Sequence, residues 1–174
     1  MQWKSFWVSI CLLMEIMISI RKSTIEDSEQ IFKFINELAI YEDAENEVTA
    51  TIDTVKDSIF GSKSNVNSIM CFYDGNPIGF AIYFFNYSTW HSKKGLYLED
   101  IYVKKESRRV GAGKKMMQYL SGVALDNDCS RFEWSVLDWN KSAINFYETL
   151  GAKPQNEWIR YRIDEVNLKM VVKK

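Results

Sequence analysis

The sequence predicts an α/β (α+β) protein in which a mixed central sheet carries helices on both faces. Three observations predict it. Apolar runs of strand length alternate along the chain with stretches whose apolar residues recur at helical spacing. Turn residues punctuate them: Asp74-Gly75-Asn76 reads as a hairpin turn, and Gly61 and Gly151 read as helix stops. Near the middle, a long apolar run over residues 95–103 leads into Gly111-Ala112-Gly113, which opens a helical pattern. The 174 residues fit one domain, and the 47% apolar fraction can build a full core. An aromatic content of 14% suits a packed sheet and a pocket with aromatic walls.

Residues 18–21 read as the first strand. Thr24-Ile25-Glu26-Asp27 is a helix-start signal, and Ile31, Phe34, Ile35 and Leu38 supply the apolar stripe that follows. An acidic stretch, residues 41–47, makes a loop. Ile52, Val55, Ile59 and Phe60 mark a second helix that Gly61 ends. Residues 68–73 and 78–86 are strands joined by the hairpin turn, and 95–103 is the long central strand. Met116, Met117, Leu120, Val123 and Ala124 define the helix after the glycine turn. Residues 131–137 form another strand, 141–150 a helix, and 159–163 a last strand. No repeat or low-complexity linker divides the chain. Residues 1–17 stand apart as an N-terminal extension, and 18–174 read as a single domain.

That extension runs almost uncharged from Phe6 to Met14, as the first half of a signal peptide would. No small-x-small cleavage site follows, and the run is too short to span a bilayer. A start at Met14 or Met17, or an extra packed segment, remain the two readings. The net charge of −1 points to neither nucleic acid nor an acidic tail. Three scattered cysteines with no C-x-x-C pair suggest no metal site and no disulfide framework, and they fit a reducing, cytoplasmic compartment. The single histidine, His91, makes a His-based metal site or a Ser-His-Asp triad improbable and reads as a loop residue.

The phrase Arg108-Arg109-Val110-Gly111-Ala112-Gly113 is a strand-to-helix turn. Its glycines let the backbone approach a ligand, and the N–H groups of the helix start favour an anion such as phosphate. A nucleoside-triphosphate loop fails, since Arg108 stands where it needs Gly and Lys115 where it needs Ser or Thr. A dinucleotide fingerprint fails at Met116. Lys104, Lys105, Arg108, Arg109, Lys114 and Lys115 form a basic cluster around the turn, suited to counter-charge. A second phrase, Asn140-Lys141-Ser142-Ala143-Ile144-Asn145-Phe146-Tyr147 through Gly151, begins 27 residues after Gly113.

In that order and spacing, R-x-x-G-x-G and N-x-x-A-x-x-F-Y-x-x-x-G resemble the two signatures of the GCN5-related N-acetyltransferases (GNAT). From Ile18 to about Met170 the chain is similar to the diamine (spermidine/spermine) acetyltransferases, and within them to the thialysine acetyltransferase branch. The phrases Tyr87-Ser88-Thr89-Trp90, Leu96 to Val103 and Val136-Leu137-Asp138-Trp139-Asn140 carry that likeness. The resemblance implies a sheet of about seven strands whose central parallel pair splays into a cleft for coenzyme A. It implies acetyl-CoA as cosubstrate, no metal, a small-molecule amine as second substrate and a homodimer with exchanged C-terminal arms.

An alkyl amine is almost wholly protonated at neutral pH, and a thiolate must leave, so a base near the amine and an acid near the sulfur are needed. Tyr147 shares a helix face with Ala143, Phe146 and Leu150, and the resemblance makes it the general acid. Glu99 interrupts an apolar strand and is the candidate base, its pKa expected to rise through burial. Asp100 would hold the cationic substrate. Alternation puts the two carboxylates on opposite faces unless a bulge intervenes. Residues Ile101, Tyr102 and Val103 would offer backbone N–H groups to the oxyanion and the pantetheine. Arg108, Arg109, Val110, Gly111, Ala112, Gly113 and Lys114 would cradle the diphosphate. Asn140 would bond the pantetheine arm, with Phe146 beside it, unless it is a plain helix cap.

On the substrate side, Trp90 could supply an apolar or cation–π wall, and Trp158 matches a tryptophan lining the polyamine pocket in the family. Two departures matter. Ser88 stands where polyamine-acetylating members carry Asp, as in the thialysine branch, and Arg109 stands where relatives often have Gly. Short diamines or lysine-like amino acids are therefore expected over spermine. A protein or peptide N-acetyltransferase is the nearest alternative, and a non-catalytic acyl-CoA-binding module the next. The aromatic segment 87–90 suggests a closed pocket, which disfavours the former.

Overall fold

The computed structural model describes residues 18–172. It divides into two compact units, with the break after Ser135. The first contains β1 (Ile18–Lys22), α1 (Ser28–Tyr41), α2 (Ile52–Phe60), β2 (Asn67–Tyr73), β3 (Asn76–Ser88), β4 (Lys93–Val103), α3 (Ala112–Asp126) and β5 (Arg131–Trp134). The second contains α4 (Lys141–Thr149) and α5 (Glu165–Val172).

The expected mixed sheet is present, in the order β1-β2-β3-β4-β5. Neighbours pair antiparallel from β1 to β4, whereas β5 lies parallel to β4. The β2–β3 hairpin closes through Asp74 and Gly75, whose φ angles of 47° and 79° fit the left-handed pair that a two-residue turn requires. Among the described residues five strands stand in place of about seven. The strand expected over 131–137 stops at Trp134, and 159–163 forms no strand in spite of alternating Ile159, Tyr161 and Ile163 with two arginines. Alternation makes a segment fit for a sheet, but a strand also needs a neighbour's ladder, and none pairs with this one. The helix α5 follows instead, with no counterpart in the expected layout.

Helices α1 and α2 cover one face. Ile31, Phe34, Val55 and Ile59 pack there with Met70, Phe80 and Tyr102 of the sheet. Phe34 is the hub, its ring 5.7 Å from Phe80 and 5.9 Å from Tyr102. The α3 helix packs against β1, β4 and β5 and buries Met116, Met117, Leu120 and Ala124. At the entry to α1, Asp27 caps Thr24 N–H at 2.8 Å and receives Arg21 at 2.6 Å. The Arg21 guanidinium, with the Thr24 bonds, holds the Asp27 carboxyl below its usual range against the opposing effect of burial.

Candidate active site

A bulge in β4 organises the carboxylates. Tyr83 pairs with Leu98 and the adjacent Ile82 pairs with Asp100, so Glu99 is an extra residue with no opposite number on β3. The insertion resets the alternation. Leu98 shares a face with Tyr83. Asp100, two residues later, shares the opposite face with Ile82, which packs on the core beneath α1 and α2. Glu99 was expected to be the buried carboxylate. It is exposed, and Asp100 takes the sheltered place. Burial pushes the Asp100 carboxyl from 3.8 to about 6, and repulsion from Glu99 and Glu42 adds to the rise. Neither Glu99 nor Asp100 has an ion-pair partner among the described residues. The site therefore concentrates uncompensated negative charge, a chemical invitation to a cation.

Glu42 is the residue that sequence reasoning undervalued. It belongs to an acidic run discounted as solvated loop. Glu42 caps the end of α1, its backbone N–H donating to Leu38 O at 3.0 Å, and desolvation pushes the pKa of its carboxyl up. The signal available in the sequence was that the run starts at the residue after a helix stripe.

The β4–β5 ladder joins Gly95–Leu98 to Arg131–Trp134 and goes no further. The edge of β4 from Glu99 through Ile101, Tyr102 and Val103 therefore runs past the end of its parallel neighbour. Of the expected splay, the structure shows the ladder stopping where β5 ends at Trp134. The Tyr102 side chain is committed to the core beside Phe34, so only its backbone can face a ligand.

Past Val103 the chain makes a 3₁₀ turn, Lys105–Ser107, and then the glycine turn. Gly111 caps α3 at φ 92°, with nothing within 4 Å of where a Cβ would stand. Ala112 is buried and anchors the turn from beneath. The first helical bond is Lys115 N–H to Gly111 O at 3.0 Å. Ala112, Gly113 and Lys114 thus present the donors that every helix start leaves without an intrahelical partner. A turn open above its glycine, with these donors and a basic rim, fits a diphosphate.

The rim is less uniform than its sequence suggests. Arg108 donates from Nε to Val103 O at 3.1 Å and lays its guanidinium 4.6 Å from the Tyr41 ring centre. Lys104 lies over Phe34 at 5.7 Å, and Lys115 reaches toward Ile18 O at 3.5 Å. Arg109 holds a left-handed φ of 70°, a conformation that glycine adopts without the Cβ cost an arginine bears.

Ser88 and Trp90 fall elsewhere. They belong to the β3–β4 turn, where Ser88 Oγ lies 3.0 Å from His91 Nδ1 and Trp90 is 83% exposed. At the rise of an extended strand the turn is roughly 20 Å along β4 from Asp100. The expectation of a pocket closed by segment 87–90 is not met within this unit, because the hairpin carries that segment away from the bulge.

In the second unit, Asn140 caps α4, accepting from Ala143 N–H through Oδ1 at 3.2 Å. Ala143, Ile144, Phe146, Tyr147 and Leu150 form the half-buried positions of that stretch. The Phe146 and Tyr147 rings lie 5.4 Å apart. Trp158 follows in the irregular segment before α5. Among the described residues no cluster of His, Cys, Asp or Glu could hold a metal ion, and no helix is long and apolar enough to cross a membrane. Cys71 is buried and Cys129 half-buried, both as free thiols, while Cys11 and the rest of residues 1–17 lie outside the described part.

A family model described as Acetyltransferase (GNAT) family matches residues 29–152, a span that crosses from the first unit into the second. The thialysine N-epsilon-acetyltransferase of Sus scrofa is 36% identical over 156 residues, covering 83% of this chain and 91% of that protein. Its counterpart in Caenorhabditis elegans is 31% identical over 144 residues, covering 81% and 88%. Among solved structures, an integron cassette protein from the mobile metagenome of V. cholerae superposes with a TM-score of 0.76 at 23% identity, covering 90% of this chain and 98% of that one. That last likeness speaks for the fold alone.

Proposed function

The chain belongs to the acetyltransferase (GNAT) family, and on that premise we propose that it acetylates a primary amine of a small diamine or a lysine-like amino acid such as thialysine. Acetyl transfer from acetyl-CoA to an amine is the reaction of the family and of this enzyme. The observation that carries the substrate class is Asp100, a sheltered carboxylate whose pKa is raised further by Glu99 and Glu42 and which has no ion-pair partner among the described residues. A substrate ammonium would supply the missing charge.

Acetyl-CoA, when bound, supplies the activated acetyl thioester. The amides of Ala112, Gly113 and Lys114, with Gly111, Val110 and Arg109, suit its diphosphate, and the edge of Ile101 to Val103 suits its pantetheine arm, with Asn140 and Phe146 as further contacts. Asp100 holds the ammonium. Since an amine of pKa near 10.4 is neutral in about one molecule per 2,500 at pH 7, a proton must be taken. Glu99, exposed to water at the bulge, takes it through a water molecule. The amine nitrogen then bonds to the acetyl carbon as the carbon–sulfur bond breaks, the Tyr147 hydroxyl gives its proton to the departing thiolate, and the second proton of the nitrogen leaves to solvent, from which Tyr147 is reprotonated. Transfer is direct, within a ternary complex. Trp158 belongs to this reading as a substrate contact on resemblance alone, whereas Ser88 and Trp90, roughly 20 Å along β4 from Asp100, do not reach an amine held by Asp100 within the same chain. The cytoplasm, which holds acetyl-CoA and keeps thiols reduced, is the compartment it requires. The homodimer is also part of it, and light scattering of the purified chain tests that.

The test is thiol release from acetyl-CoA with thialysine, lysine, putrescine, spermidine, spermine and a peptide amine. Release with thialysine or putrescine, falling about 10²-fold or more in Tyr147→Phe, supports the proposal. A clear preference for spermine overturns the substrate class. Preference for the peptide favours the protein-acetyltransferase alternative, to which the distant 87–90 turn offers no obstacle. Binding of acetyl-CoA without release would make the chain a binding module.

A further inference from the structure

We propose that Arg108 and Tyr41 form a clasp through which the diphosphate turn and the amine site favour each other's ligand. The inference rests on the acetyl-CoA reading above and adds Tyr41 as a positioning residue. Three chain ends meet at Arg108. Its backbone N–H bonds Lys105 O at 3.4 Å, opening the glycine turn; Nε bonds Val103 O at 3.1 Å, the last residue of β4; and the guanidinium lies 4.6 Å over Tyr41, the last residue of α1. The residue after Tyr41 is Glu42, fixed to the helix end by its N–H bonds to Leu38 O and Ala39 O at 3.0 and 3.2 Å. Asp100 lies three residues before Val103.

Glu42 at the end of α1 repels Asp100 near the end of β4, and Arg108, bonded to Val103 O and stacked on Tyr41, is the tie between the two ends. An ammonium between Glu42 and Asp100 relieves the repulsion and keeps the two ends together, which preserves the clasp. An anion on the turn orders the residues next to Arg108 and preserves it from the other side. Both ligands select the clasped arrangement, so each raises the affinity for the other by the same factor. A cation–π contact of this kind limits that factor to about 3- to 10-fold.

The experiment is calorimetric titration of the full chain with thialysine, without and with saturating coenzyme A. The wild type is expected to bind thialysine about 3- to 10-fold tighter when coenzyme A is present. Tyr41→Phe, which keeps the ring, retains at least half of that ratio. Tyr41→Leu brings it to one while still binding both ligands, a result that loss of packing alone would not give. If Tyr41→Leu fails to fold, Tyr41→Met, which keeps a long apolar side chain but no ring, is expected to do the same. A wild-type ratio of one, or an unchanged ratio in Tyr41→Leu or Tyr41→Met, overturns the clasp. A wild type that binds no coenzyme A at all overturns instead the acetyl-CoA reading.

Discussion

Replacing Asp100 by asparagine should make the protein more stable and less active, and the stability gain should grow with pH. In the folded chain burial and two neighbouring carboxylates raise the Asp100 pKa from 3.8 to about 6. The folded state therefore prefers the protonated acid. Whatever this acid contributes to stability is fully present below pH 3.8 and is lost as pH rises through 6. A shift of this size is worth about 3 kcal/mol at its limit. Linkage places about 1 kcal/mol of it at pH 4.5 and the whole at pH 8. The asparagine amide would be neutral throughout and escape the cost. Urea unfolding at the two pH values reads the difference, and Tm at pH 8 should rise by roughly 6–12 °C. The same variant should lose about 10- to 100-fold in kcat/KM for the amine, since a charge-assisted contact is removed, while KM for acetyl-CoA stays within about twofold. In the wild type, kcat/KM for the amine should fall as pH drops through 6 and Asp100 takes up its proton. A stability gain equal at pH 4.5 and pH 8, or a loss at pH 8, would refute the assignment of Asp100 as the sheltered, unpaired carboxylate.

Arg109→Gly relieves the left-handed φ of 70° and should stabilise the fold by about 0.5–1 kcal/mol. It should also raise KM for acetyl-CoA severalfold by removing a guanidinium from the turn. Urea unfolding and initial rates separate the two effects, and a destabilised variant would mean that the side chain does more than bind ligand. Phe34→Ala empties the centre of the core under α1 and should cost about 3–5 kcal/mol, read by the urea midpoint. A cost below about 1 kcal/mol would mean that α1 does not lean on Phe80 and Tyr102 through this ring.

The parts of this protein that depend on neighbours in sequence could be read before any coordinates. The glycine turn and its helix, the two-residue hairpin at Asp74-Gly75, the apolar stripe of α1 and the cap at Asn140 are local events. Backbone sterics and hydrogen bonds within a few residues settle them, so residue type and spacing suffice. The pairing of distant segments was beyond such reading. The bulge at Glu99 arises from the register between β3 and β4: alternation in β4 alone puts Asp100 on the face of Leu96 and Leu98, and the bulge turns it to the face beneath α1 and α2. Glu42 matters because α1 ends near Asp100, and Arg108 is tied to Val103 O and to the Tyr41 ring because α1 and β4 end beside the glycine turn. Residues 159–163 show the same limit from the other side: their pattern suits a strand, yet a strand exists only where a second one pairs with it. Side-chain chemistry is written in the order of residues, but which charges share one patch of low dielectric is settled by how the chain packs on itself.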